Sequence, residues 1–279
     1  MSDDMVGVPA RGYQVSKSET VLEPDARSKV RRGRVRTVLG RFFDPYRVHP
    51  TVLDSLADVC RFHEGYDGKD VVLSSAVSRR STRCVFLLRG YVVMHSLTGA
   101  ARLWRGRSFF GTSHVWQEGA LDLENPQVVT RGPVTALSLP GRALHQVISH
   151  EPTLGMALLR MSFEQQQIME DVYGASNDAP LVRVAGLLDY LAIDRPVIAM
   201  ADDGRRVMTS GHKKAIAGPT QTDIADALGM GRATVEKALA TLRKEGALKP
   251  TPPGQRKNRY YEIADEERLK PIAMGITPV

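Results

Sequence analysis

Apolar positions change their period three times along the chain. Between Val38 and Gly65 they follow helical spacing: Val52, Leu53, Leu56 and Val59 share one face behind Pro50, a residue suited to a first helical turn. The texture then shifts to short β-branched and aromatic runs, VVLSSAV, CVFLLRGYVVMHSL, ARLWRGRSFFG and QVVTRGPVTALSLP, separated by Gly, Ser and Arg. Runs of that kind predict an antiparallel roll or sandwich rather than alternating βαβ units. Helical spacing returns after Gly141, and Pro152 opens a long helix. Its stripe of Leu154, Ala157, Leu158, Met161, Gln165, Ile168, Met169 and Val172 is nearly continuous. Twenty helical residues span roughly 30 Å, more than a small roll needs for cover. The stripe therefore predicts a coiled-coil-like dimer seam, with an intramolecular core helix as the alternative.

Further on, PLVRVAGLLDYLAI has the pattern of an amphipathic helix, and DRPVIAMADDGRRVMTSGHKKAIAGP that of a loop with a hairpin around Asp203-Gly204. Two short helices follow. Thr220 with Asp223 three residues on predicts a capped start, and Ile224, Ala225 and Leu228 recur behind it. Gly229 ends this helix, because glycine enters the left-handed region at no steric cost. In the second helix Val235, Ala238, Leu239 and Leu242 point inward, and Gly246 is the stop. Two helices joined by a glycine turn form a helix-turn-helix, whose second helix enters the major groove of DNA by its N-terminal part. ALKPTPPGQRKNRYYEI then predicts two strands about a Pro/Gly turn bearing Arg256, Lys257 and Arg259. The alternation of Tyr260 and Tyr261 sends one ring to the core and leaves the other beside a sugar or phosphate.

These patterns divide the chain into a flexible basic tail (1–36), a β-roll domain (37–151), a dimerisation helix (152–176), a DNA-binding domain (177–266) and a C-terminal tail (267–279). The basic run SKVRRGRVR in the first tail reads as a solvated extension, with DNA phosphates as the alternative contact. Of 279 residues, 42% are hydrophobic and 25% charged, the balance of an ordinary globular protein. A net charge of +7 favours polyanionic partners. Two cysteines, Cys60 and Cys84, fit a reducing cytosol and are too few for a four-cysteine metal site; both are expected to be buried hydrophobes. No run approaches twenty apolar residues, so a cytoplasmic protein without membrane insertion is expected. His145 and His150 lack the i, i+4 spacing of a helical zinc site, and no glycine-rich phosphate loop occurs, so no enzyme is expected.

The order of roll, long helix, connecting helix, helix-turn-helix and basic hairpin resembles the Crp/Fnr family of bacterial transcription regulators, from about Pro50 to Ile263. The resemblance is most specific between Thr220 and Leu248. There Gly231-Arg232-Ala233-Thr234-Val235-Glu236-Lys237 stands where the family has a pattern like Ser-Arg-Glu-Thr-Val-x-Arg. FLLRGYVVMHSL and SFFG resemble the family's strand–glycine–strand run and its Gly-Asp-Phe-Phe-Gly turn. The resemblance implies an α+β fold: an N-terminal cyclic-nucleotide-binding-like antiparallel β-roll, a long dimerisation helix and a C-terminal winged helix-turn-helix. It also implies a homodimer on double-stranded DNA with an inverted-repeat operator, and RNA polymerase as a candidate partner.

By position, Arg232 would donate to a base edge such as guanine O6/N7, Thr234 would meet a phosphate or a thymine methyl, and Lys237 would act one turn further on. Thr220 and Gln221 join this DNA-binding set. Arg256, Lys257 and Arg259, with Lys213, Lys214, Arg243, Lys244 and Lys249, would supply phosphate contacts. Ala233 in place of the acidic reader and Lys237 in place of arginine imply a shifted target sequence.

The nucleotide pocket departs further. Family members that bind nucleotides carry Phe-Gly-Glu and then Arg-Ser-Ala, which grip the ribose and the cyclic phosphate. Here the turn reads Phe110-Gly111-Thr112-Ser113-His114, and Glu124-Asn125-Pro126 falls near the arginine position. A carboxylate facing a phosphate is unfavourable. Ile168 and Met169, apolar, occupy the helix positions that would meet the base. The resemblance thus implies a degenerate pocket that does not take ordinary cyclic AMP, with another small-molecule effector left open. Arg102, Arg105 and Arg107 with His114 and Trp116 could greet an anion; haem on His114 has no supporting motif. Two other readings stay open: a regulator that binds DNA without ligand, and an assembly protein that docks a partner on its roll and helix stripe.

Overall fold

The computed structural model describes residues 24–66, 71–73, 83–96, 99–111, 127–174, 176–200, 206–250 and 259–276. Helix α1 (Pro24–Phe43) precedes α2 (Pro50–Val59). The basic run is thus helical rather than a flexible tail. Val35, Leu39, Phe42 and Phe43 lie at helical spacing and are buried. Phe42 and Phe43 meet Phe86 of the roll edge-on at 5.3 and 5.4 Å. Arg32 pairs with Asp58 and Arg36 with Asp54 on α2, and Arg34 pairs with Glu64. These exposed pairs steer the packing more than they stabilise it.

Strand β1 (Arg61–Tyr66) replaces the helix expected up to Gly65, because the backbone turns extended at Cys60 and Arg61–Glu64 pair antiparallel with β8. Among the described residues the roll is two four-stranded antiparallel sheets, ordered β1-β8-β3-β6 and β2-β7-β4-β5. Their members are β2 (Val71–Leu73), β3 (Arg83–Arg89), β4 (Tyr91–His95), β5 (Ala101–Arg105), β6 (Ser108–Phe110), β7 (Gln127–Thr130) and β8 (Val134–Pro140). Strand β3 is apolar on both faces, and its period of two sorts the side chains. Cys84 and Phe86 face the layer made by α1, α2, α3 (Gly141–His150) and α4 (Pro152–Ile168). Val85 and Leu87 face the roll interior, with Val92, Trp104, Phe110 and Val128.

Helix α4 runs into a π turn at Met169–Tyr173. Its face of Leu154, Ala157, Leu158 and Met161 is buried within the chain, so those residues of the expected seam are core. A second stripe, Met156, Leu159 and Phe163, is left 66%, 40% and 62% exposed. Beyond it come α5 (Pro180–Leu191), the long hairpin β9 (Ile193–Met200) and β10 (Arg206–Ala217), α6 (Gln221–Leu228), α7 (Arg232–Lys244), β11 (Tyr260–Glu262) and α8 (Glu266–Ala273). The sheet order is β11-β10-β9. The segment expected as a loop is therefore paired along most of its described length, while Asp203-Gly204 lies outside the described residues. Before β11, the described part of the second expected hairpin contributes only a bridge from Leu248 to Ile263.

One apolar core joins the roll to this C-terminal part. Tyr91, Val93, Ala101 and Leu103 of β4 and β5 pack with Leu187, Leu191, Ile224, Ala227 and Leu228. The Tyr91 hydroxyl reaches Leu191 O at 3.1 Å, and the Tyr173 hydroxyl donates to Leu103 O at 2.6 Å.

Candidate nucleic-acid interface

Local chemistry sets the helix-turn-helix. The Thr220 hydroxyl accepts from Asp223 N at 3.0 Å and donates to Asp223 Oδ2 at 2.7 Å; Thr220 N donates to the same carboxylate at 2.8 Å. This capping box satisfies free amides at both ends of the turn. It also engages the Thr220 side chain internally, and Gln221 beside it is half-buried. Gly229 closes α6 at φ 61°, and Met230 N reaches back to Ala225 O. Helix α7 then starts at Arg232 behind Gly231, which supplies no side-chain cap, and Arg232 and Ala233 in its first turn are exposed.

Val235, Ala238, Leu239 and Leu242 bury one side of α7. Arg232, Ala233, Glu236, Lys237 and Ala240 form the exposed side, with Thr234 half-buried at its edge. The Arg232 guanidinium does not stand alone: its Nε donates to Glu236 Oε1 at 2.9 Å. Glu236 went unnoticed in the sequence because it occupies the variable position of the family's pattern. A carboxylate there can orient the arginine and can itself accept from a cytosine amino group.

Several expected phosphate contacts are already engaged. Lys213 and Lys249 both bind Glu262, at 3.1 and 2.7 Å, and Lys214 binds Glu266 at 2.6 Å. Burial alone would raise the Glu262 carboxyl, but hydrogen bonds from Lys249, Tyr260 and Lys213 outweigh it and hold the group at about 2. Arg243 is half-buried, whereas Lys244 and Arg259 are exposed. Tyr261 is the core ring and Tyr260 the half-exposed one, its hydroxyl on Glu262 at 2.7 Å. Arg256 and Lys257 lie outside the described residues.

The roll reaches this unit through three arginines. Arg131 binds Asp223 at 2.5 Å, Arg102 donates to Ala227 O at 3.1 Å, and Arg105 donates to Ala192 O at 2.8 Å. Arg102 lies over Tyr173 and Arg105 over Tyr190, so neither is a free anion receptor. Of the expected effector residues, Gly111 sits at φ 87° with its carbonyl accepting from Cys84 Sγ. A Cβ there would meet Arg83 O at 2.4 Å, so the position requires glycine. Ile168 and Met169 pack against the interior cluster of Trp104 and Phe110. Thr112, Ser113, His114, Trp116 and Glu124 lie outside the described residues. Among the described residues no cluster of His, Cys, Asp or Glu is placed to hold a metal, and no helix is long and apolar enough to cross a membrane.

Residues 182–272 match the Crp-like helix-turn-helix domain family. No curated relative matches the sequence. Among solved structures, FixK2 from Bradyrhizobium japonicum aligns with a TM-score of 0.54 at 17% identity, over 77% of this chain and 97% of that one. A Crp-family transcriptional regulator from Thermus thermophilus aligns at 0.51 and 18% identity, over 77% and 96%. The chain therefore carries a Crp-like helix-turn-helix domain on the fold of the Crp/Fnr-type regulators.

Proposed function

We propose that this protein is a homodimeric, sequence-specific DNA-binding transcription regulator that does not respond to cyclic AMP. The reading is carried by α7: a first turn without a side-chain cap, and Arg232, Glu236 and Lys237 on one exposed stripe, within a Crp-like domain. Arg232 reads a base edge once DNA displaces or shares its bond to Glu236, and Lys237 acts one turn on. Lys244 and Arg259 supply phosphate contacts in place of the lysines that Glu262 and Glu266 hold. Dimerisation is supported by Met156, Leu159 and Phe163, which recur at i, i+3 and i+7 along α4 and lie open to solvent. A two-fold axis along such a seam matches an inverted-repeat operator with half-sites about 34 Å apart.

Ile168 at the end of α4 and Met169 in the π turn pack onto the roll interior and offer no polar group to a nucleotide base. A second reading, DNA binding without any effector, draws on the arginine contacts from the roll, which hold the reading unit while α7 faces outward. Footprinting of the purified protein on genomic fragments, with and without cyclic AMP, tests both. A protected inverted repeat that is indifferent to the nucleotide supports the proposal; absence of any protected site, or protection only with cyclic AMP, refutes it.

A further inference from the structure

A cleft of about 760 Å³ lies outside the roll interior, where three parts of the chain meet. The end of β3 brings Arg89, the β5–β6 turn brings Arg107, α4 brings Glu164 and Ile168, and the DNA-binding unit brings Tyr190 and Ile193. Its size lies within the range of small-molecule sites, which favour such junctions.

Charge in the cleft is unbalanced. Glu164 is its one acid among the described residues and is already engaged, by the Tyr46 hydroxyl at 2.5 Å and by Arg160 at 3.4 Å. Arg105 is held by Ala192 O and Tyr190, and Lys214 by Glu266. Arg89 and Arg107, by contrast, make no ion pair among the described residues, and both are exposed. The two turns are fixed in position: Gly106 N donates to Gly90 O at 3.0 Å, and Arg107 N to Leu87 O at 2.7 Å. Arg107 sits at φ 73°, where glycine or asparagine would be unstrained. Ile168, Ile193 and Tyr190 give the cleft apolar and aromatic walls between these cations.

We propose that this cleft binds a small organic anion, an apolar or aromatic body bearing a phosphate-like headgroup, with Arg89 and Arg107 on the headgroup and Ile168, Tyr190 and Ile193 against the body. Two guanidiniums suit a multiply charged oxyanion, since each offers a planar fork of donors. This assignment does not depend on DNA binding.

Fluorescence titration of the full-length protein with 1-naphthyl phosphate tests it. Saturable binding is expected, with 1-naphthol and inorganic phosphate each about tenfold weaker or worse, because each lacks one of the two features. Arg89→Ala combined with Arg107→Gly should weaken binding at least about tenfold, while Arg142→Ala on α3 should leave it unchanged. Arg107→Gly relieves the positive φ, so it should fold as the parent does; should the double variant fail to fold, the single one should still weaken binding several-fold. No saturable binding, equal binding of naphthol, or wild-type affinity in a folded variant would overturn the proposal.

Discussion

Arg131, in the turn between β7 and β8 of the roll, places its Nε 2.5 Å from Oδ1 of Asp223, the residue that closes the capping box of α6. The side chains are 15% and 11% exposed, so the pair is largely out of water. One carboxylate thus serves two tasks: Oδ2 caps the first helix of the helix-turn-helix, and Oδ1 ties that helix to the roll.

The two partners should not be equivalent. Removing Arg131 leaves Asp223 with its capping bonds, so Arg131→Ala is expected to cost roughly 3 kcal/mol. Asp223→Ala strands the guanidinium and also removes the carboxylate that accepts from Thr220, adding about 1 kcal/mol. Urea denaturation of both variants measures the order; a larger loss for Arg131→Ala would contradict the double role.

Backbone contact reinforces the same junction. A Cβ on Gly218 would stand 2.0 Å from Arg131 O, at φ 134°, so Gly218→Ala should lower stability by roughly 2 kcal/mol or more. Gly33 offers the opposite case, lying in α1 with open space around it. Gly33→Ala should raise stability by about 0.5–1 kcal/mol through helix propensity. Thermal melts of the pair decide whether both signs are right.

A pH dependence follows from Glu262. Its folded-state value, about 2, lies below the ordinary 4.5, so the unfolded chain takes up the proton first as the pH drops. The stability it contributes is full above about 4.5 and is lost as pH falls towards 2, on the order of 2 kcal/mol in all. Glu262→Gln should therefore be less stable than the parent at pH 6, and the gap should narrow across that window. A gap that is constant from pH 6 to 2.5 would show that the Lys213 and Lys249 contacts do not act through charge.

For the proposed dimer, one change on the open stripe is decisive. Phe163→Glu places a charge at one end of the proposed seam without touching Leu154, Leu158 or Met161 on the buried face. Analytical ultracentrifugation should show a dimer for the parent and a monomer for the variant. A variant that is folded and still dimeric would place the interface elsewhere.

Legibility in the sequence followed how local each signal is. The helix-turn-helix was readable because Thr220, Asp223 and Gly229 act within a few residues of one another. The first turns of helix α1, before Val38, were not, since Val35 stands among arginines whose acids, Asp54, Asp58 and Glu64, come later in the chain. Helix α4 carries two apolar stripes, and periodicity alone does not say which one the fold covers. The engagement of Lys213, Lys214 and Lys249 by Glu262 and Glu266 is likewise a tertiary fact, as is the reach of Arg131 to Asp223.

The most direct measurement is fluorescence anisotropy on the footprinted operator, comparing the parent with Arg232→Ala and with Lys237→Ala. If α7 reads DNA as proposed, Arg232→Ala loses about 1–3 kcal/mol of specific affinity and keeps its affinity for a scrambled duplex. Arg232→Ala binding the operator as tightly as the parent, with Lys237→Ala equally silent, would contradict the claim that this helix reads the sequence.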